Sequence, residues 1–116
     1  MTERRVSFTR EQIAAYATAS GDHNPIHLDA EFARSIGLPG MIAHGLLQMG
    51  LAATVAGEAA GGSERLRRLY CRFAGMVEPG DTVVFAAEAT APGHLALSAT
   101  NQRGEAVLTK SLAEFV

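Results

Sequence analysis

Two side chains that can exchange protons with a substrate lie on either side of a proline turn near the N-terminal end. Asp22 and His27 flank Pro25, so both side chains can converge on one point. A carboxylate and an imidazole that hold one water molecule can pass a proton between that water and a substrate carbon. Each general acid or base of this kind contributes about 10²–10⁴-fold to a rate. The spacing therefore predicts acid–base catalysis by Asp22 and His27.

The residues around this pair also have simpler interpretations. Asp22 alone could be an ordinary turn residue, because aspartate favours such positions, and a lone His27 would more often be packed than catalytic. Asn24 is predicted to be structural, since its side-chain amide can pin the turn that directs Asp22. His23 and His27 are spaced like a metal-binding pair on a helix, but Pro25 lies between them. No metal is expected.

The segment from Gly21 to His27 resembles the signature of a known protein family. Its sequence, Gly-Asp-His-Asn-Pro-Ile-His, is similar to the Gly-Asp-x-Asn-Pro-Ile-His motif of the MaoC-like dehydratases, also called R-specific enoyl-CoA hydratases or hydratase 2. Residues 37–45 resemble the loop that leads into the central helix of that family, and residues 72–81 resemble its next strand and turn. The resemblance covers roughly residues 9–81.

This resemblance implies a fold, an activity and a set of site residues. The fold is the hot-dog fold, an α+β architecture in which a curved antiparallel sheet wraps a central buried helix. The activity is reversible hydration of 2-enoyl thioesters to (3R)-hydroxyacyl thioesters, carried on CoA or on acyl carrier protein. Asp22 and His27 would be the catalytic pair, and the amide of Gly45 would bind the thioester oxygen. No cofactor is implied, because acid, base and oxyanion donor all come from the chain.

The position of Gly45 agrees with elementary electrostatics. Adding water at the β carbon of an enoyl thioester puts negative charge on the thioester oxygen. A free N–H at a helix start, helped by the helix dipole, can stabilise that charge, and glycine lets the substrate approach the backbone. His44 is predicted to position the loop before Gly45 rather than to catalyse. Some family members carry a supporting hydroxyl further along this helix, where Ala52 and Ala53 stand here.

One cluster of basic residues stands out from the rest of the chain. This cluster could contact the phosphates of a CoA or carrier-protein arm, although solvated charge at a strand edge is the simpler interpretation. Its members are Arg65, Arg67, Arg68 and Arg72. The other basic residues are scattered and the net charge is −2, which argues against a nucleic-acid partner.

Two alternatives to a hydratase stay open. Other hot-dog proteins are thioesterases, but the Asp22 and His27 constellation favours a hydratase. The chain could also be one subunit of a heteromeric dehydratase. A non-catalytic partner subunit would be expected to lack both residues, whereas this chain keeps them.

Hydrophobic periodicity and capping residues predict helices first and strands afterwards, which is an α+β order. After a strand over residues 4–8, Thr9 opens a helix, with Gln12 completing a capping box, and this helix ends at Ser20. Asp29 caps a short helix that ends at Ser35. An apolar helix over residues 42–56 is expected to be enclosed by the fold. Strands over residues 66–76, 82–90, 94–100 and 106–115 predict an antiparallel meander.

The composition is typical of a soluble protein with one domain over residues 1–116. Of the 116 residues, 47% are hydrophobic, which is enough to build a core. Cys71 is the only cysteine, which excludes an intrachain disulfide and suits the cytoplasm. No signal peptide or membrane span is predicted. An open sheet edge predicts a dimer, of identical chains or with a hot-dog partner, in which strands of both protomers join.

Overall fold

The computed structural model describes residues 1–116 and has three α-helices, one 3₁₀ turn and five strands. The strands are β1 (Thr2–Ser7), β2 (Leu66–Phe73), β3 (Thr82–Ala91), β4 (His94–Asn101) and β5 (Ala106–Phe115). The helices are α1 (Arg10–Ser20), α2 (Ala30–Ser35) and α3 (Gly45–Ala60), and the 3₁₀ turn is Pro25–His27. The predicted α+β class is confirmed.

The two short helices begin at the predicted caps. The Thr9 hydroxyl accepts the amide N–H of Gln12 at 3.0 Å, and the Asp29 carboxylate accepts that of Phe32 at 3.0 Å. Each cap satisfies an amide without an intrahelical partner and stabilises the helix by about 1 kcal/mol. The reciprocal half of the capping box at α1 is not formed, because the side-chain oxygen of Gln12 is buried without a hydrogen-bond partner.

The sheet is antiparallel throughout, with strand order β1-β3-β4-β5-β2. β3, β4 and β5 form a meander, but β2 pairs with β5 and β1 pairs with β3, so the prediction of one continuous meander is wrong. The connection after β2 is tied to distant segments instead of reversing as a hairpin. Ala43 donates its amide to the carbonyl of Val77 at 2.7 Å, and Phe8 donates to that of Asp81 at 2.8 Å. These bonds bring the start of β3 to the end of β1.

The face of the sheet that is turned towards α3 carries the core. Alternate residues of β3 and β4 are buried, as the period of two in a strand requires: Val83, Phe85, Ala87, Leu95, Leu97 and Ala99. Ala52, Val55 and Ala56 of α3 pack against this layer. Full burial of one large apolar side chain stabilises a fold by about 1.5–3 kcal/mol, so this layer fixes α3 across the sheet.

α3 begins three residues later than predicted, at Gly45 rather than at Ile42. The preceding residues stay extended because tertiary contacts take up their amides: Ile42 donates to the carbonyl of Ile26 at 3.1 Å, and Ala43 donates to that of Val77. This extended segment lies between the 3₁₀ turn and the β2–β3 connection. Its bonds to both fix the position of Gly45 at the start of α3.

α3 also continues past the predicted end, to Ala60, and stops where Gly61 adopts a left-handed φ of 82°. The sheet buries one side of the helix, whereas Leu46 on the other side is 66% exposed in the single chain. The expected enclosure of the helix is therefore one-sided in a single protomer. No helix of the structure has both the length and the hydropathy that crossing a bilayer would need.

Candidate active site

The turn between α1 and α2 is fixed by its own side chains. Gly21 ends α1 with a left-handed φ of 77°, which glycine adopts without a steric cost. The Asp22 carboxylate then accepts the amide N–H of Asn24 at 3.2 Å, and the Asn24 side-chain oxygen accepts that of Ile26 at 3.2 Å. Pro25 starts the 3₁₀ turn that follows, where its fixed φ and missing N–H cost nothing.

This turn brings Asp22 and His27 together. The Nε2 atom of His27 lies 3.9 Å from Oδ2 of Asp22, which is too long for a direct hydrogen bond. The two side chains differ in exposure, at 8% for His27 and 49% for Asp22. The predicted pair thus consists of a buried imidazole and a carboxylate that solvent can reach.

The other ring nitrogen of His27 decides which tautomer the neutral ring adopts. Its Nδ1 atom lies 2.7 Å from the carbonyl oxygen of Ile42. Because a carbonyl can only accept, Nδ1 carries the proton and donates it. Neutral His27 therefore keeps its lone pair on Nε2, the nitrogen that faces Asp22 and can act as a base.

His44 contacts both members of the pair. Its Nε2–H donates to the backbone carbonyl of Asp22 at 3.1 Å, and its ring stacks on that of His27 with centroids 3.8 Å apart and planes inclined by 23°. The edge of Tyr16 completes the packing, with ring centroids 4.8 Å apart. Burial is the largest influence on the pKa of His44 and holds it below the ordinary value, and the nearby His27 lowers it further.

Gly45 is the first residue of α3 and directly follows His44. First-turn amides of a helix have no intrahelical acceptor. The Gly45 amide also donates to no backbone carbonyl outside the helix. A Cβ atom at this position would lie 3.3 Å from Cζ of Phe73. The aromatic ring therefore occupies the space beside Gly45, and glycine is what lets Phe73 pack against the start of α3.

The predicted arginine cluster lies along β2 and just before it. Arg67 and Arg68 lie 4.0 and 3.5 Å from the carboxylate of Glu114, and both are exposed on the edge strand β2. Arg65 lines an open cleft of about 780 Å³ at the C-terminal end of α3. None of the four arginine side chains forms a hydrogen bond or an ion pair with Asp22 or His27, and the exposure of Arg67, Arg68 and Arg72 on β2 favours the interpretation as strand-edge charge.

The side chains of Asp22, His27 and His44 form a group whose donor atoms lie within 4.8 Å of one another. Lone pairs of imidazole lie in the ring plane, so two stacked rings direct them alongside each other rather than at one ion. Two of the four ring nitrogens are also engaged with carbonyl oxygens. The geometry therefore fits proton transfer better than metal binding.

Two contacts of this site were not foreseen from the sequence. The sequence predicts no role in the site for Tyr16, and it places Phe73 only within the strand and turn over residues 72–81. Neither has a local signal, because each meets its partner through chain segments more than twenty residues away.

Comparison with known proteins identifies relatives of this chain. The family model described as MaoC like domain matches residues 1–109. Fatty acid synthase subunit beta of Aspergillus oryzae is 42% identical over 94 residues, 78% of this chain and 5% of that protein. The peroxisomal hydratase-dehydrogenase-epimerase of Neurospora crassa is 42% identical over 79 residues, 68% of this chain and 8% of that protein. The chain thus spans less than a tenth of the length of these relatives.

Solved structures share the same architecture. The crystal structure of a MaoC-like dehydratase from Phytophthora capsici superposes with a TM-score of 0.88 at 26% identity, over 98% of this chain and 39% of that chain. The predicted hot-dog fold, with its antiparallel sheet packed on α3, is therefore confirmed. Because the family model covers nearly the whole sequence, this chain belongs to the MaoC-like domain family.

Proposed function

We propose that the chain is a hydro-lyase that reversibly adds water to 2-enoyl thioesters, with Asp22 and His27 as its acid–base pair. The observation that carries this proposal is the 3.9 Å separation of His27 Nε2 and the Asp22 carboxylate. Two hydrogen bonds of about 2.8 Å each can bridge such a gap through one water molecule. A relative named as a hydratase-dehydrogenase-epimerase supports the same reaction class.

The surroundings of the pair support a division of tasks between activation of water and stabilisation of charge. Neutral His27 presents a lone pair to the bridging water, and Asp22 offers a second acceptor that can exchange protons with solvent. The amide of Gly45 at the start of α3 is free to donate. A fixed N–H directed at developing negative charge is commonly the largest contribution to such catalysis.

The proposed hydration is balanced in atoms and charge. The oxygen of water bonds to C3 while the π electrons of C2=C3 shift, so negative charge develops on the thioester oxygen. The Gly45 amide stabilises this charge. The pair removes one proton from the water and returns one proton to C2, so the enzyme regains its starting protonation state. The reverse sequence dehydrates the (3R)-hydroxyacyl thioester without a cofactor.

An absorbance assay tests this proposal. The purified chain is mixed with crotonyl-CoA and with longer 2-enoyl-CoAs, and loss of the enoyl-thioester absorbance is followed. We expect hydration, with a product of R configuration at C3 on chiral chromatography. Release of free CoA, detected with a thiol reagent, would point to a thioesterase instead. No reaction with CoA or acyl-carrier-protein substrates would refute the proposed activity.

We propose a homodimer as the working form of this domain. β1 and β2 are the two edges of the sheet, and unpaired edges invite pairing with another chain. Several large apolar side chains are also exposed in the single protomer: Leu46, Tyr70, Phe73 and Met76. Light scattering tests this state. A fully active monomer at micromolar concentration would refute it, and an inactive, aggregating chain would favour a heterodimer with another hot-dog subunit.

We propose that residues 1–116 act as one domain in the cytoplasm, although the Neurospora crassa relative is named as peroxisomal. The assay above, run with matched CoA and acyl-carrier-protein thioesters, identifies the preferred carrier of the acyl group.

A further inference from the structure

His44 connects the two proposed catalytic residues although it is itself shielded from solvent. Only 1% of the residue is exposed, so burial disfavours the charged form of its ring. One nitrogen of the ring is bonded to the Asp22 carbonyl at 3.1 Å, and one face of the ring lies on His27 at 3.8 Å. A shift of His44 must therefore change the positions of Asp22 and His27 relative to each other.

The surroundings of His44 specify one protonation state. Its Nε2 must carry a proton, because the partner is a carbonyl oxygen. Its Nδ1 is buried and has no hydrogen-bond partner, so a proton added there would gain no acceptor. His44 is also the N-cap of the 16-residue helix α3, where the helix dipole disfavours positive charge.

The groups that face His44 oppose a second proton on balance. Burial is the largest influence and disfavours the cation, as does the neighbouring His27, whereas the hydrogen bond to the Asp22 carbonyl and the Asp22 carboxylate favour it; the pKa of His44 is lowered as a net result. Tyr16 contributes an aromatic edge. Neutral His44 is thus the form that this pocket accommodates.

We propose that neutral His44, protonated on Nε2, is a positioning residue that sets the separation between the Asp22 carboxylate and His27. The inference rests on the acid–base function proposed above. Protonation of His44 disturbs this arrangement, because the second proton lies on the buried Nδ1, which has no acceptor unless the ring moves. Protonation of His44 therefore contributes to the fall of kcat on the acid side of the pH profile.

Two substitutions separate the hydrogen bond from the ring stack. His44→Phe keeps an aromatic ring over His27 but removes the donor to Asp22. His44→Gln keeps an amide N–H near the position of Nε2 but cannot be protonated. A misplacement of about 1 Å in catalytic geometry can cost up to about 10²-fold in rate. We expect His44→Phe to lower kcat by up to about 10²-fold with KM unchanged. We expect His44→Gln to have a kcat much closer to that of the wild type.

The pH profile is the readout that a merely structural role would not move. We expect the acid limb of kcat to shift or flatten in His44→Gln, while His94→Gln, which changes an exposed histidine, keeps the wild-type profile. Thermal unfolding identifies any variant that does not fold. Wild-type kcat in a folded His44→Phe variant, or an unchanged acid limb in His44→Gln, would overturn the proposal.

A measurement without substrate distinguishes failure of this inference from failure of the proposed reaction. Nitrogen-15 NMR of the imidazole rings reports both tautomer and charge in the intact chain. We expect His44 to be neutral with its proton on Nε2 at pH 6.5, the ordinary histidine pKa. A cationic ring, or a proton on Nδ1 at that pH, would overturn the inference even if the chain hydrates enoyl thioesters.

Discussion

The Nδ1–H of His27 donates to the carbonyl of Ile42 at 2.7 Å, and this one bond leaves Nε2 free towards Asp22. Ile42 lies in the extended segment that leads to α3. The same contact therefore orients the proposed base and anchors the segment that delivers Gly45. Loss of Nε2 should therefore abolish the proposed base, whereas loss of Nδ1 should weaken the anchor to Ile42. Substitutions of His27 can separate these two effects.

We expect Asp22→Asn to fold normally and to lose about 10²–10⁴-fold in kcat. The fold is preserved because an asparagine oxygen can still accept the amide of Asn24, as the carboxylate does at 3.2 Å. Circular dichroism and the crotonyl-CoA assay measure the two effects. Asp29→Asn is a matched control, since asparagine caps a helix as well as aspartate does. Near-wild-type kcat in Asp22→Asn would exclude the carboxylate from the chemistry.

We expect His27→Ala and His27→Asn both to lose most of the hydration activity, by about 10²–10⁴-fold. Asparagine carries an N–H close to the position of Nδ1 and can keep the bond to Ile42, whereas alanine leaves that carbonyl without its donor. His27→Asn should therefore unfold at the higher temperature of the two. If either variant turned over substrate at the wild-type rate, His27 would not be the base.

The amide of Gly45 can be removed without changing the helix. Gly45→Pro deletes the N–H at the first helical position, where proline is favoured, and the extended His44 before it, with ψ of 138°, suits a following proline. We expect kcat to fall by about 10²–10³-fold. Gly45→Ala is the matched control, because its Cβ meets Phe73 at 3.3 Å in the same way but the N–H remains. Equal activities of the two variants would remove the oxyanion role.

Asp81 should make the fold sensitive to acid. Burial alone raises its pKa, but hydrogen bonds from Gln102, the Glu78 amide and Arg103 outweigh burial and lower it below the usual 3.8. A carboxyl with a depressed folded-state pKa contributes stability that is present above the unfolded-state pKa and is lost as pH falls through the folded value. We therefore expect stability to decrease progressively below about pH 4.

The variant Asp81→Asn tests the source of that loss. It places an N–H donor near the amide of Glu78, which now donates to the carboxylate at 3.0 Å, and should destabilise the fold by about 1–3 kcal/mol at pH 7. Urea titrations at pH 7 and pH 3 measure the difference from wild type. The difference should shrink at pH 3, and Glu88→Gln, on an exposed residue, should show neither effect. A constant difference at both pH values would contradict the assignment.

The sequence by itself determined the features that depend on neighbouring residues. Thr9 and Asp29 predict the starts of two helices, because the side chain of a capping residue bonds to an amide three residues further along the chain. The alternation around Phe85 and Leu97 predicts buried strand faces for the same local reason. The spacing of Asp22, Asn24 and His27 likewise predicts a turn that carries two proton-transfer groups, and the motif over residues 21–27 resembles that of the family to which the chain belongs.

Only the tertiary structure decided the pairing of β2 with β5, the stack of His44 on His27 and the packing of Phe73 beside Gly45. Each joins segments that are distant along the chain, and no local preference distinguishes the observed partner from its competitors. The later start of α3 has the same origin, because the carbonyls of Ile26 and Val77 take the amides of Ile42 and Ala43. Local periodicity fixes which residues can form a strand or a helix, whereas the competition among long-range contacts decides where each element ends and what it meets.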